Sequence, residues 1–253
     1  MRQMKTIAII NQKGGVGKST TALSIGAGLQ ARGKDVLFVD LDAQGNLSYE
    51  LRANGTGYGA AGILTRPETI TQEIQERGMF DLVASAPALV NADKLLDCTG
   101  REYRLREALT PIKDKYDYCI IDTPPALSVL TINALTACDG LIIPAQADSF
   151  SLMGIIQLRD TLESVKRYCN PDLKVLGILI TRYNGRTVIR REIAEQLEET
   201  AASMNTRVYS TRIRECTAII EAAVMRQTIF EYAPNSNAAR DYDMLVDEIR
   251  EDI

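Results

Sequence analysis

The feature that most constrains this chain is the run Lys13-Gly14-Gly15-Val16-Gly17-Lys18-Ser19-Thr20, set between a short apolar segment, Thr6-Ile7-Ala8-Ile9-Ile10, and a stretch from Thr20 to Leu29 with helical spacing of Ala and Leu. A β-branched run, a glycine-rich turn and a helix in that order make a phosphate-binding loop. The glycines let successive backbone N–H groups turn inward, and the start of the helix adds its partial positive charge. Lys18 is suited to the β and γ phosphates of a nucleotide, and the Ser19 hydroxyl to Mg²⁺. A lysine and two hydroxyls at a helix start have no packing use, so nucleotide binding by Gly14, Gly15, Val16, Gly17, Lys18, Ser19 and Thr20 is expected.

The rest of the chain repeats the same alternation. Val36-Leu37-Phe38-Val39, Phe80 to Ala84, Tyr118 to Ile121, Gly140 to Pro144 and Val175 to Ile180 read as buried strands, separated by stretches long enough for crossover helices. The expected fold is α/β: a doubly wound, mostly parallel sheet with helices on both faces. Leu152 to Tyr168 has the apolar stripe of a core-facing helix, Asn54 to Gly62 is the nearest thing to a flexible segment, and Asp241 to Ile253 is helical in pattern but acidic. Residues 1–253 are expected to form one P-loop nucleotide-binding domain with no N-terminal helix-turn-helix extension before Lys5.

Composition limits the chemistry. With no histidine in 253 residues, Ser-His and Cys-His nucleophile pairs are excluded, and five scattered cysteines without a CxxC pair suggest reduced thiols rather than a metal site. No leader-like segment and no long apolar run point to a cytoplasmic protein. A net charge of -4 still allows a local basic patch.

Gln12 stands where the ordinary phosphate-loop motif has its first glycine, and Lys13 follows at once. Asn11 through Thr20 closely resembles the deviant Walker A motif of the ParA, MinD and nitrogenase iron-protein superfamily. The resemblance continues through Asp40-Leu41-Asp42-Ala43-Gln44-Gly45-Asn46, similar to the ParA pattern DLDPQGN with alanine where proline is usual, and through Tyr118-Cys119-Ile120-Ile121-Asp122, which resembles a Walker B strand. Segments Asp139 to Asp148, Gly177 to Thr187 and Glu221 to Ala233 also look like ParA or Soj. The resemblance implies an Mg²⁺-dependent ATPase in which Lys13 reaches a partner's nucleotide, Asp42 orients the attacking water, Asp40 supports the magnesium and switch region, and Asp122 holds magnesium through water. Where the family has a Pro-Arg-Asn turn lining adenine, this chain has Arg214-Glu215-Cys216, which places Arg214 and Cys216 at the base.

The same resemblance implies a homodimer formed with ATP, non-specific double-stranded DNA as ligand, a ParB-like adaptor as partner, nucleoid association and no membrane. Arg186 matches a basic position that ParA proteins use for DNA, whereas a second such position is Ala218 here. Arg190, Arg212 and Arg214 are expected to extend the patch. A MinD-like positioning ATPase is the nearest rival, but its basic amphipathic C-terminal helix is absent from the acidic Asp243 to Asp252 stretch. A small-molecule ligase or kinase of the same fold is the other alternative.

Overall fold

The computed structural model describes residues 3–55, 57–184 and 188–252, and for 188–191 it describes the backbone. The strands are β1 (Lys5–Ile9), β2 (Val36–Asp40), β3 (Ile74–Arg77), β4 (Phe80–Val83), β5 (Tyr118–Asp122), β6 (Gly140–Gln146) and β7 (Lys174–Thr181). The helices up to the middle of the chain are α1 (Lys18–Ala31), α2 (Asn46–Glu50), α3 (Gly59–Thr65), α4 (Ile70–Glu73), α5 (Ala92–Leu95) and α6 (Arg104–Leu109). Then follow α7 (Val129–Ala137), α8 (Ser149–Tyr168), α9 (Val188–Ser203), α10 (Thr217–Met225), α11 (Ile229–Tyr232) and α12 (Asn237–Asp252).

The strands form one sheet in the order β3-β4-β2-β5-β1-β6-β7. Every pairing is parallel except that of β3 with β4. Because side chains alternate along a strand, each central strand feeds two cores. Ala8, Leu37, Val39, Ile121, Leu141 and Ile143 pack with α3, α6, α7, α8 and α9. Ile7, Ile9, Phe38, Ile120, Ile142 and Leu179 pack with α1, α10, α11 and α12. The helix nearest the loop lies very close to the sheet: a Cβ at Gly26 of α1 would stand 2.1 Å from a ring carbon of Phe38, so only glycine permits this seating.

Six of the seven strands fall on the expected runs. Strand β3 departs from expectation: Ile74-Gln75-Glu76-Arg77 is a polar edge strand that turns back on β4 through Gly78, where a crossover helix is expected. The Gly and Ala cluster also behaves otherwise. Gly59 to Leu64 is buried helix, capped at its start by the Glu73 carboxylate, which accepts the N–H groups of Tyr58 (3.0 Å) and Gly59 (2.7 Å).

Candidate functional site: a nucleotide cradle at the strand ends

Parallel registers bring Asp40 at the end of β2 level with Asp122 at the end of β5, and Ile9 at the end of β1 level with Asp122 as well. The glycine-rich loop leaves β1 at this point. Gly15 (φ 73) and Gly17 (φ 86) hold the left-handed conformation the turn requires, and no atom lies within 4 Å of where a Cβ would stand at Gly14, Gly15 or Gly17. The first turn of α1 has Gly17 before it and no side-chain cap, so its N–H groups point into that open space. Neighbouring strands hold the loop from behind. The Thr181 hydroxyl donates to Val16 O (2.8 Å), the Gln146 amide to Gly15 O (3.0 Å) and the Asn11 amide to Pro144 O (2.6 Å), while Asn11 Oδ1 accepts the Lys13 N–H (2.9 Å).

Two cavities meet on the loop. One, of about 630 Å³, is lined by Gly14, Lys18, Ser19, Asp42 and Asn46 among others. The second, of about 400 Å³ and largely apolar, runs from Gly15, Gly17 and Thr20 to Arg214, Cys216, Ile219 and Tyr242. The first presents the charged and polar groups that phosphates need and the second the apolar lining that a base needs, and Arg214 and Cys216, expected at the base, line the second. Lys18 is buried, and its Nζ donates to Lys13 O (3.3 Å). Burial lowers its pKa, and the charges of Asp122 and Asp42 partly oppose the shift.

Asp122 is fully buried, and neither carboxylate oxygen completes a hydrogen bond with the described residues. Burial, then the Asp40 charge, raise its pKa well above the ordinary aspartate value, while the Ser19 hydroxyl and Lys18 pull the other way. An unpartnered carboxylate beside a serine hydroxyl and an open phosphate cradle fits magnesium, which keeps most of its waters and takes few protein ligands. No three His, Cys, Asp or Glu side chains cluster as a metal cage among the described residues.

Asp40 lies deeper and lines neither cavity. Its Oδ2 accepts Ser48 N (2.8 Å) and Ser48 Oγ (2.7 Å), and its Oδ1 accepts Asp42 N (3.1 Å). Burial pushes its pKa up to about 6 against the pull of these bonds. Asp42 faces the phosphate cavity, with Oδ1 accepting Gln44 N (3.0 Å). Lys13 turns away from its own cavity, pairing with Asp148 Oδ2 at 2.5 Å and reaching Gln146 Oε1 at 3.5 Å.

A family model described as an AAA domain matches residues 4–175. The chain is 39% identical over 250 residues to the chromosome-partitioning ATPase Soj of Thermus thermophilus, covering 98% of this chain and 96% of that one. The chain belongs to the ParA/Soj family of partitioning ATPases. It is likewise 37% identical over 255 residues to the sporulation initiation inhibitor protein Soj of Bacillus subtilis, covering 97% and 98% of the two chains. Among solved structures it resembles apo McdA of Cyanothece (TM-score 0.87, 25% identity, 98% of both chains). It also resembles cobyrinic acid a,c-diamide synthase of Mycobacterium smegmatis with ADP and magnesium (TM-score 0.82, 32% identity, 96% and 93%). As a ParA/Soj ATPase the chain binds ATP with Mg²⁺ and hydrolyses it.

Of the arginines expected on DNA, Arg186 lies outside the described residues, and Arg190 is described only as backbone in α9. Arg212 and Arg214 both have partners. Arg212 donates to Tyr183 Oη (2.9 Å) and pairs with Glu198 (3.3 Å), and Arg214 grips Asp241 of α12, with its shortest contact at 2.6 Å. Sequence reasoning missed Ser48, Ser85, Asp148, Gln146 and Thr181. Only Asp148 carried a signal: an aspartate just before a helix, where its side chain accepts the Ser151 N–H at 2.8 Å.

Proposed function

We propose that this ATPase is a nucleotide-gated DNA-partitioning switch: two copies close over bound ATP into a sandwich dimer, the dimer holds DNA without sequence preference, and a ParB-like adaptor stimulates hydrolysis and release. The observation that carries the reading is Lys13. Its ammonium sits outside the cavity of its own chain, on Asp148 at 2.5 Å, although its backbone belongs to the phosphate loop. A lysine built into the loop but not aimed at the loop's own ligand fits a contact with a second copy. Ile220 and Val224 of α10 support it, since both line the mouth of the phosphate cavity yet are mostly exposed.

Within one copy, Lys18 and the N–H groups from Gly14 to Thr20 bind the phosphates, Ser19 and Asp122 hold magnesium, Asp122 through water, and Arg214 and Cys216 line the base. Magnesium held there would supply neutralisation of phosphate charge. Asp42 orients a water toward the γ-phosphorus. The new P–O bond forms as the bond to the bridging oxygen breaks, giving ADP and inorganic phosphate. Asp40 works from behind, fixing the loop that carries Asp42. DNA binding rests first on Arg186 and Arg190, because Arg212 and Arg214 would have to leave carboxylate partners. The expected place of action is the cytoplasm, on the nucleoid.

Titration of unrelated duplex DNA with ATP, with ADP and without nucleotide tests the switch. Binding should need ATP, weaken steeply with salt, and be lost in Arg186→Glu while that variant still binds ATP and dimerises. Equal binding in all nucleotide states would refute gating. Absence of DNA binding in every state would favour a small-molecule ligase, the class to which the cobyrinic acid synthase belongs by its name. A MinD-like reading has less support, because the apolar face of α12, with Tyr242, Leu245, Val246 and Ile249, is buried in the core.

A further inference from the structure

We infer that Ser85, acting with Ser48, is a positioning residue for hydrolysis: it fixes the peptide of Asp42 so that the carboxylate holds its water in line. The inference rests on the reading of Asp42 given above.

Asp42 begins the loop after β2, where nothing in a strand ladder holds it. Its peptide is nevertheless fixed on both sides. The N–H donates to Asp40 Oδ1 (3.1 Å), and the carbonyl accepts Gly45 N (2.8 Å) and the Ser85 hydroxyl (2.5 Å). Ser85 is itself fixed, since its N–H donates to Ser48 Oγ (2.8 Å), and that same hydroxyl donates to Asp40 Oδ2 (2.7 Å). The bonds close a ring through Asp40, Ser48, Ser85 and Asp42. Rotation of the Asp42 peptide would break the bond to Asp40 or the bond to Ser85.

The anchor of that ring is outside the nucleotide cavity. Ser85 follows β4, and its neighbour Ala84 accepts the Ala60 N–H at 2.7 Å from α3. A Cβ at Gly59, whose φ is +51, would stand 2.2 Å from Ala84 O. Helix α3 is thus pressed onto the end of β4, and the hydroxyl of Ser85 is delivered to Asp42 from a rigid base. Neither serine lines the phosphate cavity, so neither touches substrate. Because small displacements of a catalytic group cost much rate, the hydroxyl acts on turnover without acting on binding.

The test is steady-state hydrolysis together with ATP affinity on the full chain. Ser85→Ala should lower kcat about tenfold and leave KM and ATP affinity within about twofold, the pattern of a lost contact felt only in the transition state. Ser85→Thr keeps the hydroxyl and should restore turnover. In an Asp42→Ala background, Ser85→Ala should add no further loss. A merely structural serine would instead lower the melting temperature and leave kcat of the folded protein unchanged. Wild-type kcat in Ser85→Ala, or additive loss in the double variant, overturns the inference while leaving the Asp42 reading intact. Wild-type turnover in Asp42→Ala overturns that reading itself, and this inference with it.

Discussion

At the C-terminal ends of the strands the molecule leaves its polar groups open, whereas along α12 it closes them against one another. Among the described residues, Asp122 has two buried oxygens without hydrogen-bond partners, Lys18 Nζ donates to a carbonyl at 3.3 Å, and the first turn of α1 has no side-chain cap. On the other side, Arg32 bridges Asp243 (2.8 Å) and Asp247 (2.9 Å), Arg207 pairs with Asp252 (2.8 Å), and Glu248 accepts Ser210 N (3.0 Å), Thr211 N (2.8 Å) and the Thr211 hydroxyl. Buried polar groups are costly when unpaired, so they persist where a ligand completes them. The open face is built for a ligand and the closed face for the fold.

The sharpest way to break this contrast is Lys18→Ala. It should weaken ATP by at least about 100-fold, because a charge-assisted contact to phosphate is lost, and ATP should no longer raise the melting temperature. The nucleotide-free protein should change by no more than about 1 kcal/mol. A calorimetric titration with normal affinity would remove Lys18 from the phosphate site. Asp122→Asn should come next, with hydrolysis falling by about 100-fold and the dependence of ATP affinity on magnesium flattened; unchanged magnesium dependence would show that the orphaned carboxylate serves another purpose.

Glu248→Gln probes the closed face and should do the reverse: a loss of about 1 kcal/mol or less, given the exposure of the group, with ATP affinity unchanged. Its pH dependence has a definite sign. Burial would raise the pKa of Glu248, but its bonds to Thr211 and Ser210 prevail and hold the carboxyl below the ordinary glutamate value. The stabilisation is therefore complete above the unfolded pKa of about 4.3 and is lost as pH falls through the lower folded value. Denaturant titrations across that window should show wild type and variant converging as the medium is acidified. The smallest effect is expected from Asp148→Asn, which keeps an N-cap for α8 but removes the charge on which Lys13 rests. Light scattering should show ATP-dependent dimers at a lower protein concentration, by about twofold to tenfold.

How much of this was legible in the sequence depends on whether a residue acts through a pattern or alone. Strands such as β2 are buried on both faces, and Val36 to Val39 reads as an unbroken apolar run. The phosphate loop was legible because its glycines, lysine and hydroxyls have fixed spacing. Strand β3 was not, since an edge strand with Gln75, Glu76 and Arg77 lacks an apolar face. Gly59 and Gly62 read as flexibility, but they are there because Ala84 and Glu73 come too close for any side chain. Ser48 and Ser85 act as single hydroxyls at the meeting of distant loops, and no local spacing marks them.

The bond between Arg214 and Asp241 has one more consequence. Arg214 lines the apolar cavity proposed for the base, Asp241 belongs to α12, and the next residue, Tyr242, lines the same cavity while its hydroxyl lies 3.2 Å from Thr21 Oγ1 of α1. A nucleotide base in this cavity would stabilise the docked position of the last helix, and by linkage any force that frays that helix would weaken nucleotide binding. Amide hydrogen exchange should therefore slow along α12 on addition of ATP, reporting occupancy of the cradle from the far end of the chain.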